Sequence, residues 1–162
     1  MENVLIREIA PGDNLQVAQV IRRVLIDLGV PKVGTAYADK ALDDMHGHYN
    51  RPRASYFVVA EGNNIIGGAG IAQLDAFDGN VCELQKMYFL DEARGRGIGK
   101  EMITLCLHKA KTFGFESCYL ETMPYMEQAQ KLYKQMGFSY LDAPMGNTGH
   151  YSCPVWMIKP LD

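Results

Sequence analysis

Arg94-Gly95-Arg96-Gly97-Ile98-Gly99 places two guanidinium groups and three glycines within six positions. Leu84 to Phe89 before it is apolar and aromatic, and Ile98, Met102, Leu105, Cys106 and Phe113 recur after it at helical spacing. The six residues therefore join a strand to a helix N-terminus. There the first backbone N–H groups have no intrahelical partner and the helix dipole is positive, so an anion is stabilised. Glycines remove the Cβ atoms that would hold a phosphate away, and Arg94 or Arg96 can add charge-assisted bonds. A diphosphate fits such a loop. A Walker A loop does not, because Arg94 stands where its first glycine is needed and Glu101 where its magnesium-binding hydroxyl is needed. A dinucleotide Gly-x-Gly-x-x-Gly fails too, its third glycine falling on Lys100 or Met102.

Gly149-His150-Tyr151-Ser152-Cys153 is the other chemically rich stretch, and Cys153 beside His150 raises a nucleophile with a ping-pong route, although close sequence spacing says little about geometry and such cysteines are usually packing groups. Asp39, Asp43 and Asp44 would suit a cationic amine or form a solvated face. His46 and His48 read as surface or pocket-lining groups rather than metal ligands.

The elements that must position these groups come from one domain, 1–162, since 162 residues suffice for one full core. The composition, 48% hydrophobic and 22% charged, excludes a disordered chain. No apolar run is long enough to span a bilayer and MENVLIREIA has no signal-like core, so the expected location is cytoplasmic, with no membrane partner. A net charge of −3 gives no reason to expect nucleic acid. Cys82, Cys106, Cys118 and Cys153 are well separated and read as reduced thiols, with no zinc site.

Val4 to Ile9 reads as a strand ended by Pro11-Gly12, with Asp13 or Asn14 as a helix cap. Leu15 to Leu28 is an amphipathic helix, its face drawn through Leu15, Ala18, Ile21, Leu25 and Leu28. Asp39 to Met45 offers a short acidic helix. Tyr56 to Ala60 and Ile65 to Leu74 form a hairpin around Gly62-Asn63, and Val81 to Phe89 is the strand feeding the loop. A helix to Gly114, a strand Ser117 to Thr122, a helix ended by Gly137, and strands at Phe138 to Leu141 and Val155 to Ile158 complete the chain. The order β-α-α-β-β-β-α-β-α-β-β predicts an α/β or α+β domain with helices on both faces of a mixed sheet.

Arg94-x-x-Gly97-x-Gly99 matches the Arg/Gln-x-x-Gly-x-Gly/Ala signature of the GNAT superfamily, the acyl-CoA-dependent N-acetyltransferases, and Ala129-x-x-Leu132-Tyr133-x-x-x-Gly137-Phe138 matches a second motif of that family. The chain resembles it over nearly its whole length, most closely from Glu83 to Phe138. The resemblance implies a single GNAT-like domain with a mostly antiparallel sheet, the 94–99 loop on the coenzyme A pyrophosphate, and the main chain of Met87, Tyr88 and Phe89 along the pantetheine arm. It implies Tyr133 as general acid to the leaving thiolate, with Glu121, twelve residues before it, as candidate base and Glu83 as the alternative. Acetyl-CoA is then the cosubstrate, no metal is implied, and the acceptor is a primary amine of a small molecule or peptide attacked directly in a ternary complex. Homodimers are common in the family, although no stretch here specifies an interface. Met126 stands where the family often has an asparagine for a pantetheine carbonyl, which keeps open a non-catalytic coenzyme A sensor or scaffold. Phe89-Leu90-Asp91 replaces the frequent Val-x-Pro.

Overall fold

The computed structural model describes residues 3–162. Seven strands form one sheet: β1 (Val4–Glu8), β2 (Ser55–Glu61), β3 (Asn64–Gln73), β4 (Val81–Phe89), β5 (Ser117–Thr122), β6 (Ser139–Leu141) and β7 (Val155–Pro160), in the order β1-β2-β3-β4-β5-β7-β6. Helices α1 (Asn14–Asp27) and α2 (Met45–Tyr49) precede β2, α3 (Ile98–Thr112) links β4 to β5, and α4 (Glu127–Gln135) follows β5. The element order and the mixed, mostly antiparallel sheet agree with the order read from the sequence. The one parallel pair, β4 with β5, is the one joined by a helical crossover, as parallel neighbours require.

Side-chain alternation assigns the two faces. Cys82 and Leu84 of β4 and Cys118 and Leu120 of β5 enter a core with Met102, Ile103, Cys106 and Ala110 of α3 and Tyr133 of α4. Val58 and Ala60 of β2 and Ala72 of β3 enter a second core with α1, Leu42, Met45 and Tyr49. The buried stripe of α1 is Val17, Ala18, Val20, Ile21, Val24 and Leu25. Leu15, expected on that stripe, is 70% exposed, because at 3.6 residues per turn it points away from the mean direction of the other six.

Two local expectations change. Asp39 to Met45 is not an α-helix: Lys40–Asp44 is a 3₁₀ segment and α2 begins at Met45, where the Asp44 carboxylate accepts from Gly47 N–H and supplies the cap. Asp13 precedes α1 but makes no side-chain cap to it; its carboxylate accepts instead from Ala10 N–H and from the Arg7 guanidinium.

What positions the site is a divergence. β4 and β5 pair only at Val81↔Ser117, Cys82↔Cys118 and Glu83↔Tyr119. Beyond that point β5 stays with β7 through Thr122↔Val155, while β4 stays with β3 through Gly67↔Phe89. The sheet opens between them.

Candidate active site

A cleft of about 770 Å³ fills this opening. It runs from Arg94, Gly95, Gly97, Ile98 and Gly99 past Met87, Tyr88 and Phe89 to Glu121, Tyr133 and Cys153. Gly97 is the residue before α3, with φ +74° and no side-chain cap, and the first helical bond there is Glu101 N–H to Gly97 C=O. The N–H groups of Ile98, Gly99 and Lys100 are therefore available to an anion. A Cβ on Gly97 would meet no atom within 4 Å, so the space before those N–H groups is free for a ligand. Gly99 serves packing, since a Cβ there would lie 2.9 Å from Leu132 of α4. The two arginines divide. Arg94 is exposed, with only a 3.5 Å approach to Asp91, and lines the cleft. Arg96 does not line it: its guanidinium donates to Glu61 at 2.7 Å and to the Glu92 carbonyl.

Strand β4 carries a bulge where it borders the cleft. Its pairing with β3 jumps from Gly70↔Gln85 to Gly68↔Tyr88, so Lys86 and Met87 share one partner position, and Lys86 has φ +50°. Tyr56 holds the bulge by donating its hydroxyl to the Lys86 carbonyl at 2.8 Å. Its ring lies where a Cβ on Gly68 or Gly70 would stand, 2.7 and 2.6 Å away, which is why β3 needs glycine there.

Tyr133 projects from α4, 7% exposed, its ring 6.0 Å from that of Phe138. Its hydroxyl has no hydrogen-bond partner among the described residues, and no fully buried side-chain polar atom among them is unsatisfied, so the hydroxyl opens onto the cleft it lines. Burial pushes its pKa up, so near neutral pH this group can only donate a proton. Glu121 lines the same cleft, one oxygen accepting from Tyr119 at 2.6 Å and the other from Thr148. Glu83 lies deeper and does not line it; Gln85 donates to it at 2.8 Å and is itself held by Tyr49. Burial, with the charge of Glu121, raises Glu83 to about 7. That value has a consequence for stability. The folded state keeps the Glu83 proton from pH 4.5 to about 7 while the unfolded chain loses it, so stability falls across this window as pH rises, by about 3 kcal/mol at full effect. Glu83→Gln should flatten that part of the curve, seen as a smaller difference between denaturant midpoints at the two ends of the window than in the wild type.

Two segments roof this end. Ser152 N–H donates to Gly34 C=O and its hydroxyl to Val33 C=O, and His150 Nε2 meets Asp39 at 2.8 Å, with Asp39 also 3.2 Å from Lys86 Nζ. Burial opposes charge on His150, but the hydrogen bond and charge of Asp39 outweigh it and raise its pKa. Burial likewise opposes the Asp39 charge, and His150 and Lys86 outweigh that too, lowering it. Cys153 lines the cleft, but burial and the charges of Glu121, Glu83 and Asp39 push its thiol up to about 12, and His150 is turned to Asp39 rather than to it. A thiol so protonated is a poor nucleophile, which weighs against the ping-pong route. Asp43 pairs with Arg22 at the surface. His46 and His48 belong to α2, away from the cleft lining.

Sequence reasoning brought Arg94, Gly97, Tyr133 and Glu121 to one cleft. It missed Lys86, Gln85, Tyr49, Thr148 and the link of Asp39 to His150. Met126 lines the cleft, and its sulfur accepts from the Thr122 hydroxyl at 3.3 Å.

Known proteins resemble the chain in sequence and in fold. Residues 24–138 match the model of the acetyltransferase (GNAT) family. The chain is 37% identical over 161 residues, 99% of its length and 96% of the relative's, to the uncharacterized N-acetyltransferase YjgM of Escherichia coli K12. A GNAT acetyltransferase from Staphylococcus aureus Mu50 superposes with a TM-score of 0.85 at 20% identity, over 99% of this chain and 100% of that one. The PaiA N-acetyltransferase of Thermoplasma acidophilum, solved with coenzyme A, superposes at 0.75 and 18% identity over 98% and 99%. The chain belongs to the GNAT family of acetyltransferases.

Proposed function

We propose that the protein, acting as one domain over residues 1–162, transfers an acetyl group from acetyl-CoA to a primary amine by direct attack within a ternary complex. One observation carries this reading: a single cleft joins the anion-binding start of α3 to the free hydroxyl of Tyr133 and the carboxylate of Glu121. The residues fit the coenzyme. The Ile98, Gly99 and Lys100 N–H groups and Arg94 would receive its pyrophosphate, and the β4 main chain from Met87 to Phe89 its pantetheine arm. That the PaiA relative was solved with coenzyme A supports the choice. Acetyl-CoA and the free cysteines Cys82, Cys106, Cys118 and Cys153 fit a cytoplasmic setting.

Glu121, fixed by two hydroxyl donors, orients the incoming ammonium at the end of the cleft. Glu121 is the first candidate for the base and Glu83 the alternative; we take Glu83, whose pKa burial raises to about 7, as the group that accepts the proton, relayed through Glu121 or one water because Glu83 lies outside the lining. The amine nitrogen then bonds to the thioester carbonyl carbon. As the C–S bond breaks, Tyr133 gives its proton to the departing sulfur and recovers one from the amine side by way of solvent. Holding amine and thioester together supplies much of the acceleration. The ionised form of Glu83 is the active one, so kcat/KM should rise with pH through about 7. A panel of amines incubated with acetyl-CoA, read by released thiol, tests the function. Thiol release with at least one amine, with the acetylated amine found by mass spectrometry, is the expected result; silence across the panel in protein that binds coenzyme A would remove it. No observation favours the non-catalytic sensor.

A further inference from the structure

Lys86 has no part in the chemistry above, yet it is held under unusual constraint. It sits in the left-handed region at φ +50°, which a lysine adopts only when its surroundings impose it. The bulge turns its side chain to the α1 and α2 side of the sheet, where it is 7% exposed. A cation so buried needs acceptors for three N–H donors, and Lys86 has a single ionic partner, Asp39 at 3.2 Å. No side-chain acceptor besides Asp39 reaches its Nζ among the described residues, and Lys86 lines the cleft, so the donors that Asp39 leaves free face it. Asp39 cannot serve Lys86 alone, because both its oxygens also lie within 3.0 Å of His150 Nε2. Lys86 and His150 therefore share one carboxylate.

Other titratable groups near this end are Glu83 and Glu121, with His48 of α2 within reach of the Lys86 charge. The Lys86 charge is felt by Glu83, but among the described residues its only ion pair is with Asp39, and each Glu121 oxygen already accepts a hydroxyl. The remaining surface there, Val30, Thr35, Tyr88, Met123, Met126 and Cys153, is neutral. We propose that the acceptor carries a carboxylate as well as its amine, placing it in the amino-acid class, and that Lys86 receives this carboxylate with His150 and Asp39 behind it while Glu121 faces the amine. This deepens the acetyl-transfer reading and rests on it. A carboxylate is favoured over a phosphate because this end offers one ammonium, with no arginine and no helix start to satisfy more oxygens.

Amino acids paired with their decarboxylated amines give the test: phenylalanine with phenethylamine, and histidine with histamine. Calorimetry of each onto protein saturated with coenzyme A reads acceptor binding without turnover, and thiol release with acetyl-CoA reads kcat/KM. At least one amino acid should exceed its amine by about 10-fold or more in both. In Lys86→Gln that ratio should fall to about 1, chiefly through KM, while Lys86→Arg, which keeps the charge, retains a preference. Amines that bind as well as their amino acids, or a ratio that survives in Lys86→Gln, would overturn the assignment. If Lys86→Gln does not fold, the wild-type ratios decide alone. Selective binding without thiol release would uphold the pocket and sink the transferase reading, so the two failures are distinguishable.

Discussion

Tyr133→Phe is expected to lower kcat by roughly 10²–10⁴-fold, the scale of a lost general acid, with coenzyme affinity close to wild type. The substitution removes one oxygen and keeps the ring against Phe138. In the free protein that oxygen has no partner among the described residues, so its loss leaves no buried group unpaired and stability should change little. The proposed coenzyme contacts lie on the loop and β4, which the change does not touch. The defect should therefore fall on chemistry, and more heavily on the burst of thiol release in a single turnover than on calorimetric affinity for coenzyme A. An unchanged kcat would take the role of acid away from Tyr133 and leave it as a wall of the cleft.

Gly97→Val should abolish coenzyme binding. Two effects combine. A β-branched residue at φ +74° costs on the order of 1–2 kcal/mol or more, and its Cβ and methyl groups would enter the free space in front of the Ile98 and Gly99 N–H groups. Strain alone can be measured separately at Gly114, which has φ +85°, likewise meets nothing within 4 Å, and lies at the far end of α3. Gly114→Val should lose stability and keep affinity, whereas Gly97→Val should lose both. Calorimetry showing wild-type affinity in folded Gly97→Val protein would refute the pyrophosphate assignment.

The elements were legible because apolar runs alternate with clear turn and cap residues. Val81–Phe89 and Ser117–Thr122 have the bounds that their apolar and aromatic content and the flanking turn residues assign. The α2 region was not, since Met45-His46-Gly47-His48-Tyr49 is a weak helix former that depends on the Asp44 cap and on burial of Met45 and Tyr49. Within β4 a sign of the bulge was present. Apolar residues stand at Cys82 and Leu84, then at Met87 and Phe89, so the period of two slips by one at Lys86. A strand that buried the same face without a bulge would have carried its apolar residues at even positions throughout. The arginines could not be told apart, because only the fold brings Glu61 to Arg96. The Asp39 pairing with His150 spans 111 residues and leaves no local trace.

The roof over the acceptor end has a bearing on how such a protein diversifies. Its two segments, around Val33 to Asp39 and Thr148 to Cys153, meet through backbone carbonyls and one ionic cluster, and neither contributes to the 94–99 loop or to α4. The Ser152 N–H bond to the Gly34 carbonyl does not depend on the identity of the side chains above it. Val33 and Tyr151 are both exposed, so they can vary without disturbing the core. On the proposed function, selection, natural or in a mutant library, can therefore recast which amines are admitted while the 94–99 loop and α4 are inherited unchanged, and a lineage could drift between acceptors without passing through an inactive ancestor.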